Sequence, residues 1–386
     1  MEARNIWIGL FLTLVIIGGV FYYFQSFEVR YIAQQATDAF ENGNFQEAQV
    51  LFQQALEKHA NDPVLLANLV KSFASEGNRT GKERELEAKA EPFAKQALEA
   101  DPDNVEVLLA VGYLAETNGR YEEALGYYGR ARQLYPDSSM AQFHYGHTLE
   151  FLGRKTEAEA AYVKSLELDP KNSLALIAKG RSRFFEGNYE EASVYFLQAA
   201  GSSSSASLQS EALAGAALAK RNQGYFKEAK EFAQQAVEKD PTFVLAKLEY
   251  GMGQAMEGDL EGGVKTIYEA IQLNTRAVQP FWSMGIVLRS GKYFTESIEF
   301  LTAGLARVAN DNTLVGPQAK NETRSQMTYD LAKTYDIQGN SGKALEFLEQ
   351  AIQIDGNLSL YLQRDVEEHG FFKALETNGR FRALLP

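Results

Sequence analysis

The chain has 386 residues and a formal net charge of -13, from 51 acidic and 38 basic side chains. An acidic surface repels phosphate backbones, so nucleic acid is not an expected partner. No cysteine is present, which excludes disulfides, thiolate metal sites, a cysteine nucleophile and a lipidated cysteine.

The first element in chain order is Ile6–Phe24, IWIGLFLTLVIIGGVFYYF, which carries no charge. As a helix it spans about 28 Å, close to the hydrocarbon thickness of a bilayer. Trp7 lies at one end and Tyr22 and Tyr23 at the other, where an aromatic belt would sit. Bulky aromatics follow it in place of the small residues that a signal-peptide cleavage site needs. The expectation is an uncleaved signal-anchor within residues 1–28. It makes the chain a single-pass protein of the plasma (inner) membrane, with its large acidic body on the extracytoplasmic side.

After the anchor the sequence repeats itself. Pro102, Pro136 and Pro170 recur at a fixed step of 34. The same step relates Gly112, Gly146 and Gly180; Gly119, Gly153 and Gly187; Ala124, Ala158 and Ala192; and Tyr128, Tyr162 and Phe196. Turn glycine, small residue, aromatic and proline in one phase describe a helix, a left-handed stop, a second helix and a block to its continuation. One such hairpin cannot bury its apolar face alone, so neighbours must stack.

This pattern resembles the tetratricopeptide repeat (TPR) family. The copy from Val105 to Ser138 has Gly112, Ala124, Tyr128, Ala131 and Pro136 at the family's small, Ala, aromatic, Ala and Pro places. Other copies start near Val29, Pro63, Ser139, Ser173, Ser210, Val244, Val278 and Ser325. The resemblance implies an all-α fold, a right-handed α-solenoid of about nine helix-turn-helix units. The repeats cover residues 29–358, with irregularities at 78–87, 201–209 and 308–324 read as inserted loops or a polar spacer. Residues 359–386 lose the pattern and are expected to form a capping helix around Leu358–Glu367 and a tail.

The chain offers little chemistry. His144, His147 and Glu150 are three apart on one helix, a metal-like spacing without a matching further ligand elsewhere. Glu122-Glu123 and Glu190-Glu191 recur at the starts of second helices, where they favour the positive helix end. GMGQAMEG, Gly251–Gly258, follows a helix pattern and not a strand, so it makes a poor dinucleotide motif. No catalytic residue, metal or cofactor is expected, and the chain is read as not an enzyme.

In TPR arrays the first helices line a concave groove whose places 2, 5, 9, 12 and 13 usually meet ligand. Carried onto this sequence, the resemblance gives Leu109, Tyr113, Phe143, His147, Phe151, Arg181, Phe184, Phe185, Arg221, Met252, Trp282 and Arg289 as partner-binding residues. Apolar side chains with interspersed arginines are the composition of interaction hot spots; the alternative is that a tight superhelix buries this face. The Lys-and-Asn clamp of chaperone-tail receptors does not fit, since its places hold Ala33 and Thr37, or Ala67 and Lys71. The function expected is a membrane-anchored scaffold that holds protein or peptide partners in the groove, within a multiprotein assembly. The alternative is a structural subunit that self-associates into a homo-oligomer or filament.

Overall fold

The computed structural model describes residues 27–386 apart from 81, 274–276, 312, 313 and 315. Helix follows helix along the chain, joined by short turns. The first pair is α1 (27–41) and α2 (Phe45–Lys58), followed by α3 (Pro63–Thr80) with α4 (Glu83–Ala100). Then come α5 (Val105–Thr117) with α6 (Tyr121–Leu134) and α7 (Ser139–Phe151) with α8 (Lys155–Leu168), and in sequence after them α9 (Ser173–Phe185) and α10 (Tyr189–Ser202). The series continues with α11 (Ala206–Asn222) and α12 (Phe226–Lys239), α13 (Val244–Met256) and α14 (Leu260–Leu273), α15 (Gln279–Ser290) and α16 (Phe294–Leu305), and α17 (Gly316–Ile337) and α18 (Ser341–Ile354). The chain ends with α19 (Leu358–Glu367) and α20 (Gly379–Arg382). Among the described residues there is no strand, and the repeats form a solenoid of hairpins.

Two compact units divide the chain. One holds the described residues up to Ser182 with Gly201–Leu208; the other holds the described residues of Arg183–Ala200 and Gln209–Pro386. In each, small residues let helices approach and aromatics fill what remains. In the first unit Tyr128 is fully buried among Leu108, Leu109, Ala115, Ala124, Ala131 and Ala141. A Cβ placed on Gly112 would come within 2.5 Å of the Tyr128 ring. Gly112→Val should therefore overpack a ring that has no free space to move into, at a cost of about 1–3 kcal/mol. A lowered urea midpoint for the variant checks this; an unchanged midpoint would mean the contact is not tight.

The turns follow the glycines. Gly119 and Gly153 take φ of 75° and 76°, a left-handed stop that closes the first helix and frees the chain to reverse. Asn104 and Ser138 then cap α5 and α7 by accepting from Glu106 N and Ala141 N, which satisfies otherwise orphaned donors. The irregular segments are more helical than their polar composition implies. The extra residues around 78–87 lengthen α3 and α4, because KERELEAKAE is rich in helix formers and Glu85 pairs with Lys89 one turn on at 2.8 Å. The expected spacer at 308–324 likewise turns helical from Gly316, where Pro317 falls in the first turn and needs no hydrogen-bond partner. In the serine-rich run only 203–205 leave the helices.

In the second unit Leu358, Leu362, Phe372, Leu375 and Phe381 pack onto α17 and α18. They close an apolar end that would otherwise face water.

The expected anchor, Ile6–Phe24, lies outside the described residues. Among the described residues no helix is long and apolar enough to cross a membrane. Even α17, the longest at 22 residues, carries Lys320, Glu322, Arg324, Asp330, Lys333 and Asp336, and buried charges of that number are prohibitive in lipid. This finding overturns the expected placement as a single-pass membrane protein with the array on the extracytoplasmic side.

Candidate partner-binding face

The first helices of successive hairpins carry the residues selected from the sequence. In the first unit they divide into three groups. Leu109 and Phe143 are core residues, each 4% exposed. Tyr113 and His147 are half-buried. Phe151 is 42% exposed, stacked on Tyr121 at 4.9 Å and meeting the edge of His147 at 4.9 Å. Arg181 on α9 is exposed.

Glu116, in the last turn of α5, organises this region. It is buried, and its carboxylate accepts from the Thr148 hydroxyl at 2.5 Å and pairs with His147 Nδ1 at 3.0 Å. Burial raises its pKa, but the His147 hydrogen bond and charge, the charge of His144 and the Thr148 hydrogen bond together bring it below the ordinary carboxylate range. An ionised carboxylate only accepts, so His147 carries its proton on Nδ1 and leaves Nε2 as the ring's other polar atom. Glu116 and Thr148 were not selected from the sequence. The available signal was an acid at place 12 of one unit and a histidine at place 9 of the next.

His144 behaves differently from its neighbour. Its ring stacks on Tyr128 at 5.1 Å and meets the edge of Phe143 at 5.0 Å, and its Nδ1 is buried without a hydrogen-bond partner. Burial pushes its pKa down to about 4, so it stays neutral near pH 7. Glu150 accepts from the Tyr162 hydroxyl at 2.7 Å. The three groups with metal-like spacing thus have separate engagements, and among the described residues no set of three His, Asp or Glu side chains could hold a metal ion.

In the second unit, Phe184 and Phe185 meet edge to face at 5.9 Å, with Phe185 81% exposed. Met252 is 5% exposed and belongs to the core with Leu248 and Met284. Both arginines selected here are already engaged. Arg221 on α11 donates through Nε and Nη2 to the two oxygens of buried Glu249 on α13, at 2.8 and 3.2 Å. Arg289 on α15 donates to the Asp330 carboxylate and carbonyl on α17, each at 2.9 Å, and Trp282 Nε1 donates to the other carboxylate oxygen at 2.7 Å. These are bidentate or two-point staples between consecutive first helices. They hold the stack and commit both arginines to the chain's own acids.

Family profiles described as tetratricopeptide repeat match residues 88–139, 141–172, 210–243 and 325–358. A human protein, "Protein O-mannosyl-transferase TMTC1", is 31% identical over 97 residues, which is 25% of this chain and 10% of that protein. The chain therefore spans about a tenth of this curated relative. Among solved structures, the APC/C hetero-tetramer Cut9-Hcn1 aligns with a TM-score of 0.59 at 15% identity, over 77% of this chain and 55% of that one. A monomeric IFIT1 mutant with Gppp-AAAA aligns with a TM-score of 0.56 at 17% identity, over 90% and 84%. At these identities the structural likenesses establish the fold alone. The chain spans about half of the first structural relative.

Proposed function

We propose, taking as premise that the chain carries tetratricopeptide repeats, that it is a non-catalytic scaffold whose first-helix faces hold segments of partner proteins. TPR proteins generally mediate protein–protein interactions, and the repeat fold is typically a non-enzymatic scaffold. One observation carries the reading for this chain. Phe151 and Phe185 stay exposed on first helices while Leu109, Phe143 and Met252 beside them in the repeat are buried. Aromatic side chains left in water at ligand-facing places, with their neighbours packed, are the composition of a binding hot spot.

Pull-down by the intact chain tests it. Phe151→Ser and Phe185→Ser should each weaken capture of the same proteins. Val163→Ser, at a comparably exposed place on second helix α8, should leave capture unchanged. Equal loss from Val163→Ser would remove the case for the first-helix face.

A second reading, self-association, draws on Tyr225 and Tyr293. They hold equivalent places ahead of α12 and α16 and are 53% and 50% exposed. Sedimentation of the chain across a concentration series separates the two: a monomer throughout favours the scaffold, and growth abolished by Tyr225→Ser with Tyr293→Ser favours the assembly.

A further inference from the structure

Three first helices carry a cation at place 9 of the repeat: Lys71 on α3, Arg181 on α9 and Lys333 on α17. Two of the three are occupied by the chain's own acids. Lys71 Nζ donates to Glu106 on α5 at 2.6 Å. Lys333 Nζ pairs with Asp365 on α19 at 2.7 Å. Around Lys333 the engagement is elaborate. The Tyr329 hydroxyl also donates to Asp365 at 2.8 Å, the Phe371 ring lies 4.9 Å from the Lys333 ammonium, and the Phe372 N–H donates to Asp336 at 2.6 Å. The last hairpin thus displays a bound segment: a carboxylate on the cation, followed along the chain by an aromatic ring against the same cation.

Arg181 is exposed, and among the described residues of its own unit it has no ion pair. In that unit the acids of α7 and α8 are committed elsewhere. Glu159 on α8 pairs with Lys179 on α9, and Glu150 takes the Tyr162 hydroxyl. The Glu116–His147 bond shows that the last turn of one first helix meets place 9 of the next. Consistent with that relation, the Tyr162 hydroxyl that donates to Glu150 also feels the charge of Arg181, which puts Glu150, and with it the exposed Phe151 next in sequence, in the neighbourhood of Arg181.

We propose that Arg181 anchors an acidic–aromatic segment of a partner protein, with a carboxylate on its guanidinium and an aromatic ring against Phe151, the external counterpart of the chain's own Asp365–Phe372. This deepens the scaffold reading and rests on it. An arginine gains two parallel hydrogen bonds from a carboxylate, which lysine cannot match. Glu150 is the internal competitor, because its charge opposes a second carboxylate nearby.

The probe is a fluorescein-labelled peptide with the sequence of Leu362–Leu375, titrated against the intact chain by anisotropy. Arg181→Glu should weaken binding at least about tenfold, and Arg181→Lys should weaken it less. Glu150→Gln should tighten it. A peptide with Asp365→Asn and Phe371→Ala should bind as poorly as the peptide does to Arg181→Glu. Lys333→Ala in the chain should leave the affinity unchanged, and the melting temperature of Arg181→Glu should match the parent. No binding to the parent chain overturns the proposal. So does affinity insensitive to Arg181→Glu, or affinity lost in Lys333→Ala but not in Arg181→Glu. If the peptide fails while Phe151→Ser still abolishes partner capture, the scaffold stands and only this partner chemistry falls.

Discussion

Arg221→Glu is expected to lose about 3–5 kcal/mol of folding stability, because it leaves the buried Glu249 carboxylate unpaired and facing a like charge. Glu249 has 4% of its side chain exposed and Arg221 has 22%, so water cannot compensate. Denaturant unfolding measures the loss. The double variant Arg221→Met with Glu249→Leu should recover most of it, since an apolar pair of similar volume can replace a buried ion pair at little cost. Recovery in the double variant would show that the staple matters through its unpaired remainder. If Arg221→Glu instead retains parental stability, the pair is not buried as described and the guanidinium is free to meet partners.

Acid should weaken the first unit through His144. Its folded pKa of about 4 lies below the ordinary value of 6.5. The unfolded chain therefore binds the proton first as pH falls. The associated stability is fully present above about pH 6.5 and is lost as pH falls through about 4, amounting to on the order of 3 kcal/mol. Glu116, also held below its ordinary value, extends the loss to lower pH with the same sign. Burial is the main cause for His144; Glu116 and Glu106 oppose it by charge, while His147 and Lys71 reinforce it. His144→Phe keeps an aromatic ring against Tyr128 and removes the titration. Urea midpoints at pH 7.5, 5.5 and 4.5 should fall less steeply in that variant than in the parent. Parallel curves would mean that His144 is not the group that senses acid.

The contrast among arginines explains what was legible in the sequence. Arg181, Arg221 and Arg289 look alike as ligand-facing cations on a repeat frame. Their difference lies in the next unit. Arg221 finds an acid 28 residues on and Arg289 one 41 residues on, the longer step reflecting the residues inserted ahead of α17. A reading one unit at a time does not register such pairs. The repeat itself was plain, because the geometry of a stacked hairpin demands glycine, alanine and an aromatic at fixed places. Gly112 against Tyr128 and the positive φ of Gly119 are direct consequences. The segments 78–87 and 308–324 misled for a different reason. Polar composition marks solvent exposure, and an exposed helix such as the start of α17 is as polar as a loop. The place of Leu109, Phe143 and Met252 in the core was hidden because apolar residues at helical spacing serve packing and binding equally well.

Site-specific photo-crosslinking tests most directly whether the first-helix face is where partners are held. A benzophenone side chain placed at Phe151, and separately at Val163, reports which surface a partner touches. The account predicts adducts from position 151 to a discrete acidic–aromatic segment, lost when Arg181→Glu is added, and none from position 163. Adducts of equal yield from position 163, or adducts at 151 indifferent to Arg181→Glu, would contradict it.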